Sequence, residues 1–509
     1  MNAMRPRVTA RPYTYPVGTG GWNAIDALDA MKPDECETLI NFFPETTYLR
    51  LRRGYDAFSD TGTGLPVKTL AVWSNGVTAL TLGASDGDWW DVSGNPGLSV
   101  GTGYGSDVWD TVNFSTGGTQ YLIAANGVDT PQVFAGVSFT AAVNTIGGAP
   151  PAITFNRVTS FNRRLFYAET ETLSVWYLPV GQYQGALTEF DFGPVFAKGG
   201  YLEAIATWTR DNGFAGANEM FVAVTTEGEV AIYEGSDPAS WTLRARFEVG
   251  QPVSGPGCIT RIGPDMVLIC QDGFQPLAHY LQLGESQAQA VALSRKIGNA
   301  VTAAVNAARY EDGWGAVLYP QGNMLIFNIP QTTADTFNQY VVNTLTGAWC
   351  QWTGQNAYSW AYVPGFLYFG GADGVVYVAD TGTSDNGDFI TAEFRGSYQY
   401  IGGPGLLKRA TMAQPVFATT GNLNIAFAID VDFINGTLTT PPPSVPGAGA
   451  WGTGVWGTMV WGGGQALQRP WMSVTGLGYA MAPHFLISTN NVSVNLLSVT
   501  VLFERGAFL

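Results

Sequence analysis

Charge is scarce in this chain: only 13% of its 509 residues are Asp, Glu, Lys or Arg, about half the usual share of a soluble protein. Histidine and cysteine are scarcer. The two histidines, His279 and His484, lie far apart, and none of the four cysteines forms a C-x-x-C pair. That spacing gives no Cys/His metal centre. In a chain made in a cytosol the thiols are expected to be reduced and buried, although a hairpin at Gly263-Pro264 would bring Cys258 and Cys270 opposite each other. No segment approaches the ~20 apolar residues of a membrane helix. Arg5, Arg7 and Arg11 are followed by no apolar run, so no secretory signal is expected. The sequence has no G-x-S-x-G elbow and no phosphate loop ending in Gly-Lys-Ser or Gly-Lys-Thr. Two histidines leave little room for a Ser-His-Asp system. No cofactor and no metal are implied, and the expectation is a protein that is not an enzyme.

Glycine and aromatic residues are plentiful: 64 Gly and 13% Phe, Trp and Tyr. This composition favours short strands and tight turns. Val67–Trp73 and Val77–Leu82 read as strands around Asn75-Gly76, a hairpin dipeptide. The pattern returns at Thr119–Ala124 with Gln132–Phe134, at Arg157–Ala168 with Leu173–Leu178, and at Glu219–Thr225 with Val230–Glu234. Met266–Cys270 precedes Asp272-Gly273. Tyr310–Pro320 with Asn323–Ile329, Tyr340–Val342 with Ala348–Trp352, and Gly365–Phe369 with Val375–Ala379 follow. A strand pair recurs about every 40–50 residues, the period of propeller blades. The expected fold is all-β: a propeller of about six blades over 66–385, with β modules at 1–65 and 386–509.

One or two short helices interrupt this pattern. In 286–308, Leu293, Ile297, Val301 and Val305 recur every fourth residue, as on one face of a helix. Lys32-Pro33-Asp34-Glu35 reads as a helix start leading into Glu35–Phe42, with Pro44 as its stop. After 386 the texture becomes that of a β-sandwich, with Trp451, Trp456 and Trp461 spaced by five and each followed by Gly.

The net charge of −16 is unevenly placed. Residues 66–385 hold 27 acids against 12 bases, whereas 1–65 hold 8 and 7, and 386–509 hold 5 and 5. A body so acidic offers no phosphate-neutralising patch and is expected not to bind DNA tightly. Two ambiguities stay open. Trp451, Trp456 and Trp461 fit a core or subunit interface, and they also fit stacking on sugars. Arg50, Arg52 and Arg53 fit internal pairing with Asp34, Glu35 and Glu37, and equally an interface with an acidic neighbour. Ser85-Asp86-Gly87-Asp88-Trp89 is superficially like the aspartate box of glycosidase propellers, but its intervals are wrong and it reads as a turn beside a core Trp.

Three stretches together resemble one family. The first is Leu28, Met31-Lys32-Pro33, Leu39, Asn41-Phe42-Phe43-Pro44 and Arg52-Arg53-Gly54. The second is Leu293-Ser294 with its helix, then Val317–Ile329 and Tyr340-Val341-Val342-Asn343 through Thr346-Gly347-Ala348-Trp349. The third is the spaced tryptophans, Arg469-Pro470-Trp471 and Phe503-Glu504-Arg505-Gly506. In this order they are similar to the tail nozzle proteins of short-tailed bacteriophages, also called tail tubular protein B or packaged-DNA stabilisation protein. The recognisable pattern covers about a quarter of the chain. The resemblance implies a structural protein of the virion tail, assembled in the host cytoplasm. It would form a homo-oligomer, a hexameric ring below the portal and its adaptor protein, with tail fibres or spikes as further partners. The ring would retain packaged DNA and let it pass, touching it without tight binding. Asp211, Glu227, Glu229 and Asp312 would face the exit channel. Arg50, Arg52, Arg53 and the three tryptophans would serve assembly. No needle or fibre insertion is visible. The competing reading is a propeller that binds or cleaves glycans in host recognition.

Overall fold

The computed structural model describes residues 10–211, 217–282, 292–444 and 465–505, with the side chains at 210, 211, 217, 218 and 282 excepted. Trp451, Trp456 and Trp461 lie outside the described residues.

Six small antiparallel sheets, five of four strands and one of three, carry the propeller. Their first strands stand side by side around an axis: Thr69–Ser74, Asp110–Thr116, Phe155–Phe161, Leu202–Asp211, Ile259–Ile262 and Ser359–Val363. A further meander, 315–353, fills the remaining sector. Its first strand, Gly315–Tyr319, packs between Ile259–Ile262 and Ser359–Val363 and closes the circle. This meander belongs to a nine-stranded sheet and leads out of the propeller. The six free-standing sheets are the blades expected from the hairpin period, and the shared meander makes a seventh sector. Radial packing buries both faces of every sheet, which none could do alone.

The ring is locked by the N-terminal side of the chain. Gly54–Asp60 is the outer strand of the last sheet and pairs with Val375–Thr381. The propeller therefore starts at 54, and the sequence boundary at 65 falls beyond this strand. The reason is non-local: one sheet is built from two stretches more than 300 residues apart, a pairing that hairpin patterns do not reveal.

The N- and C-terminal modules form one platform. The nine-stranded sheet continues from the meander through Glu35–Ile40, Ile390–Gly396, Met481–Thr489 and Ile425–Val431. A seven-stranded sheet contains Arg11–Tyr15, Phe42–Pro44 and Leu49–Leu51 beside Lys408–Thr419 and Val494–Arg505. Phe485, fully buried, joins the two layers. Its ring meets Phe42 at 5.8 Å, Phe394 at 4.9 Å and Phe417 at 5.5 Å. The hydrophobic core continues from the platform into the propeller without a break.

Two local readings need correction. Glu35–Ile40 and Phe42–Pro44 are strands, where the proline and acids suited a helix start. Glu35 is instead buried, accepting from Asn23 Nδ2 at 2.7 Å and pairing with Lys296 Nζ at 3.0 Å. Strand partners on both sides, at Gln351 and at Ile390–Gly396, override the local preference. The second helix runs over Gly298–Ala308, so Gly298 opens it. Ile297, Val301, Val305 and Ala308 are buried as the spacing predicts, while Leu293 is exposed. All four cysteines are buried free thiols. Gly263 has φ +59° in the hairpin expected there.

Candidate functional site at the acidic face of the propeller

An antiparallel meander that starts at the axis puts its second turn on the same face as the loop entering it, and its first turn on the opposite face. The second turns of all seven sectors carry a carboxylate between their strands: Asp86, Asp129, Glu171, Glu227, Asp272, Asp335 and Asp373. The six described first turns, such as Asn75-Gly76, Gly117-Gly118 and Pro364-Gly365, carry none. Within the first and second turns the carboxylates thus fall on one face, while Asp237, in the third turn of the fourth sheet, lies on the other and pairs with Arg164.

These carboxylates have local work to do. Asp129 Oδ2 accepts the Gly105 N–H at 2.8 Å, and Asp272 Oδ2 accepts that of Gly250 at 2.6 Å. Asp335 and Asp373 accept from the hydroxyls of Tyr358 and Tyr377, both at 2.6 Å. Glu227 accepts from Gln251 Nε2 at 2.9 Å. Turn and loop donors are thereby satisfied by groups that still reach solvent.

The axial channel of the propeller opens on this face. Two adjoining cavities, about 340 and 350 Å³, run along the first strands and share Asp110, Thr111, Pro256, Ile259 and Arg261. At the mouth, Lys68 Nζ meets Asp312 Oδ2 at 2.8 Å, both part-exposed. Deeper, Arg157 donates from Nη2 to Glu203 Oε1 and from Nε to the Glu203 carbonyl, both at 2.7 Å. Glu203 Oε1 also accepts the Gly255 N–H at 2.9 Å, tying three sectors together. Asp110 Oδ2 accepts the Val158 N–H at 2.9 Å. Burial pushes the Asp110 carboxyl up to about 6, against the opposing charge of Arg157.

The residues singled out from sequence divide. Asp312 lies at the channel mouth and Glu227 on the acidic face. Glu229 does not face solvent: it is fully buried, accepting the N–H groups of Ala197 and Lys198 and pairing with Arg246 Nη2 at 2.5 Å. It follows Glu227 by two but starts the next strand, where alternation turns it inward. The Asp211 side chain lies outside the described residues. Arg52 is also internal. It is 1% exposed, and its donors go to Asp385, Asn41 and the carbonyls of Arg53 and Thr353. It is therefore not available to a neighbouring subunit. Neither it nor Arg50 takes Asp34, Glu35 or Glu37 as partner; Arg50 pairs with Glu45 at 3.2 Å. Arg53 is exposed.

Sequence reading missed Asp110, Arg157 and Glu203. It also missed the recurrence of one acid per second turn, which aligning the repeats by their turns would have revealed.

No family model and no curated protein matches this chain. Among solved structures it is similar to Raptor of Chaetomium thermophilum: 12% identity, 65% of this chain, 29% of that chain, TM-score 0.41. It is similar to a quinonprotein alcohol dehydrogenase-like protein of Bacteroides thetaiotaomicron: 13% identity, 68% of each chain, TM-score 0.32. It is also similar to the WD40 propeller domain of Doa1: 10% identity, 64% of this chain, 96% of that domain, TM-score 0.38. Likenesses this distant say nothing about function.

Proposed function

We propose that this chain is the nozzle subunit of a short viral tail, a structural protein whose ring surrounds the DNA exit path. The observation that carries this reading is the one-sided placement of charge, a carboxylate in every second turn and none in the described first turns. A carboxylate-bearing wall repels the phosphate backbone, so a duplex slides past it without sticking. The platform supports the same reading. Its sequence is nearly charge-balanced, which suits packing between subunits, where unpaired buried charge is costly. The sequence resemblance to tail nozzles points the same way.

Cryo-microscopy of purified virion tails tests this reading. The expected result is density for this chain in a closed ring, with the face bearing Asp86, Asp272 and Asp373 toward the lumen. A ring with that face outward, or tails without this chain, would overturn it. In solution the chain is expected to show no saturable binding to duplex DNA.

A further inference from the structure

Arg50, Arg52 and Arg53 stand together in a chain with only 24 Lys and Arg. Arg52 is used up inside the protein. Arg50 and Arg53 help line a cavity of about 460 Å³ where the chain passes from platform strand Leu49–Leu51 to propeller strand Gly54–Asp60. Thr383, Gln465, Ser493 and Asn495 also line it.

Three observations point to its occupant. Among the described residues no carboxylate lines this cavity, whereas the two channel cavities and a fourth beside Asp335 each include at least one. In a chain of net charge −16 such a lining marks a place where an anion is not repelled. Next, Arg53 is exposed and forms no ion pair among the described residues; its Nη1 reaches the Asp380 carbonyl at 3.4 Å. Finally, Arg50 also lines the cavity; it gives Nε to Glu45 and lies over the Phe43 ring at 5.3 Å, and its buried Nη1 has no hydrogen-bond partner among the described residues. The part of the Arg50 side chain that reaches the cavity is a guanidinium edge, and an oxyanion is the acceptor that guanidinium geometry matches best. Asp380 lies within the field of both arginines but does not line the cavity.

We propose that this junction cavity binds a phosphate-class oxyanion, held by Arg50 and Arg53 with the Thr383 and Ser493 hydroxyls as supporting donors. A tetrahedral oxyanion fits this volume together with bridging waters. The site does not depend on the tail reading.

The test is calorimetric titration of the full-length protein with inorganic phosphate, at ionic strength held constant with chloride. Saturable binding is expected. Arg53→Gln should weaken it at least tenfold, and Arg244→Gln, an exposed arginine on another sheet, should not. Gln465→Glu, which puts a carboxylate in the lining, should abolish it and serves as the second variant should Arg53→Gln fold poorly by circular dichroism. No saturable binding by the unmodified chain, or equal binding by Gln465→Glu, would overturn the proposal.

Discussion

Arg52 and Asp385, 333 residues apart in the chain, meet in a buried fork: Nη1 to Oδ1 at 2.7 Å and Nη2 to Oδ2 at 2.5 Å. The pair sits where the platform strand ending at Leu51 turns into the propeller strand starting at Gly54, beside the stretch by which the chain leaves the propeller. It therefore fastens the closing sheet to the platform. Arg52→Met leaves Asp385 buried without its cation, a change that costs about 3–5 kcal/mol. Urea unfolding should show a midpoint lowered accordingly. Arg52→Met with Asp385→Leu should recover part of the loss, because the uncompensated charge is gone.

Gly54 in the same joint has no room for a side chain. A Cβ there would lie 1.7 Å from the Ser384 carbonyl oxygen, which is backbone and cannot rotate away. Gly54→Ala is expected to destabilise by about 2–3 kcal/mol, the upper part of the overpacking range. The measurement is the thermal midpoint of the full chain.

In the platform, His484 sets a pH dependence. Its Nδ1 lies 3.2 Å from Asp430 Oδ2 and its Nε2 3.1 Å from Glu393 Oε1, with Arg395 Nε 2.9 Å from Asp430. Burial lowers the imidazole pKa, but the hydrogen bonds to Asp430 and Glu393 outweigh it and raise the pKa above the ordinary value. The folded state therefore prefers the imidazolium. That stability is fully present below the unfolded pKa of about 6.5 and is lost as pH rises through the higher folded value. Melting temperature should fall on the alkaline side of neutrality, and His484→Gln should flatten that slope.

Asp110 also lowers stability as pH rises, but because its charged form is disfavoured rather than because a favoured charge is lost. Its carboxyl is raised to about 6, so the folded state disfavours the carboxylate. Unfolding releases that constraint, and the penalty is complete above pH 6 and absent below about 4. Asp110→Asn should raise the melting temperature at pH 7.5 and change it little at pH 4. A gain of equal size at both values would show that its charge is not the cause.

Much of the architecture was legible in the chain. Asn75-Gly76 and Gly263-Pro264 fixed hairpins because their turns need conformations that few other residues accept. The run Ile297, Val301, Val305 marked a helix face because burial repeats with the helical period. Glu35–Ile40 was misread because capping preferences are weak beside strand partners on both sides. Asp312 was anticipated, but its partner Lys68 and the deeper set of Asp110, Arg157 and Glu203 were hidden, since each comes from the entrance of a different sector.

The sequence by itself determined the β class, the repeat and the confinement of negative charge to the middle of the chain, because turn chemistry, alternation and composition are local properties. Only the tertiary structure decided that one sheet closes across the whole chain, that Glu229 and Arg52 point inward, and that the second-turn carboxylates share one face. Those outcomes depend on which strands pair at long range and on which side of each strand a residue falls, and a shift of one residue reverses the latter.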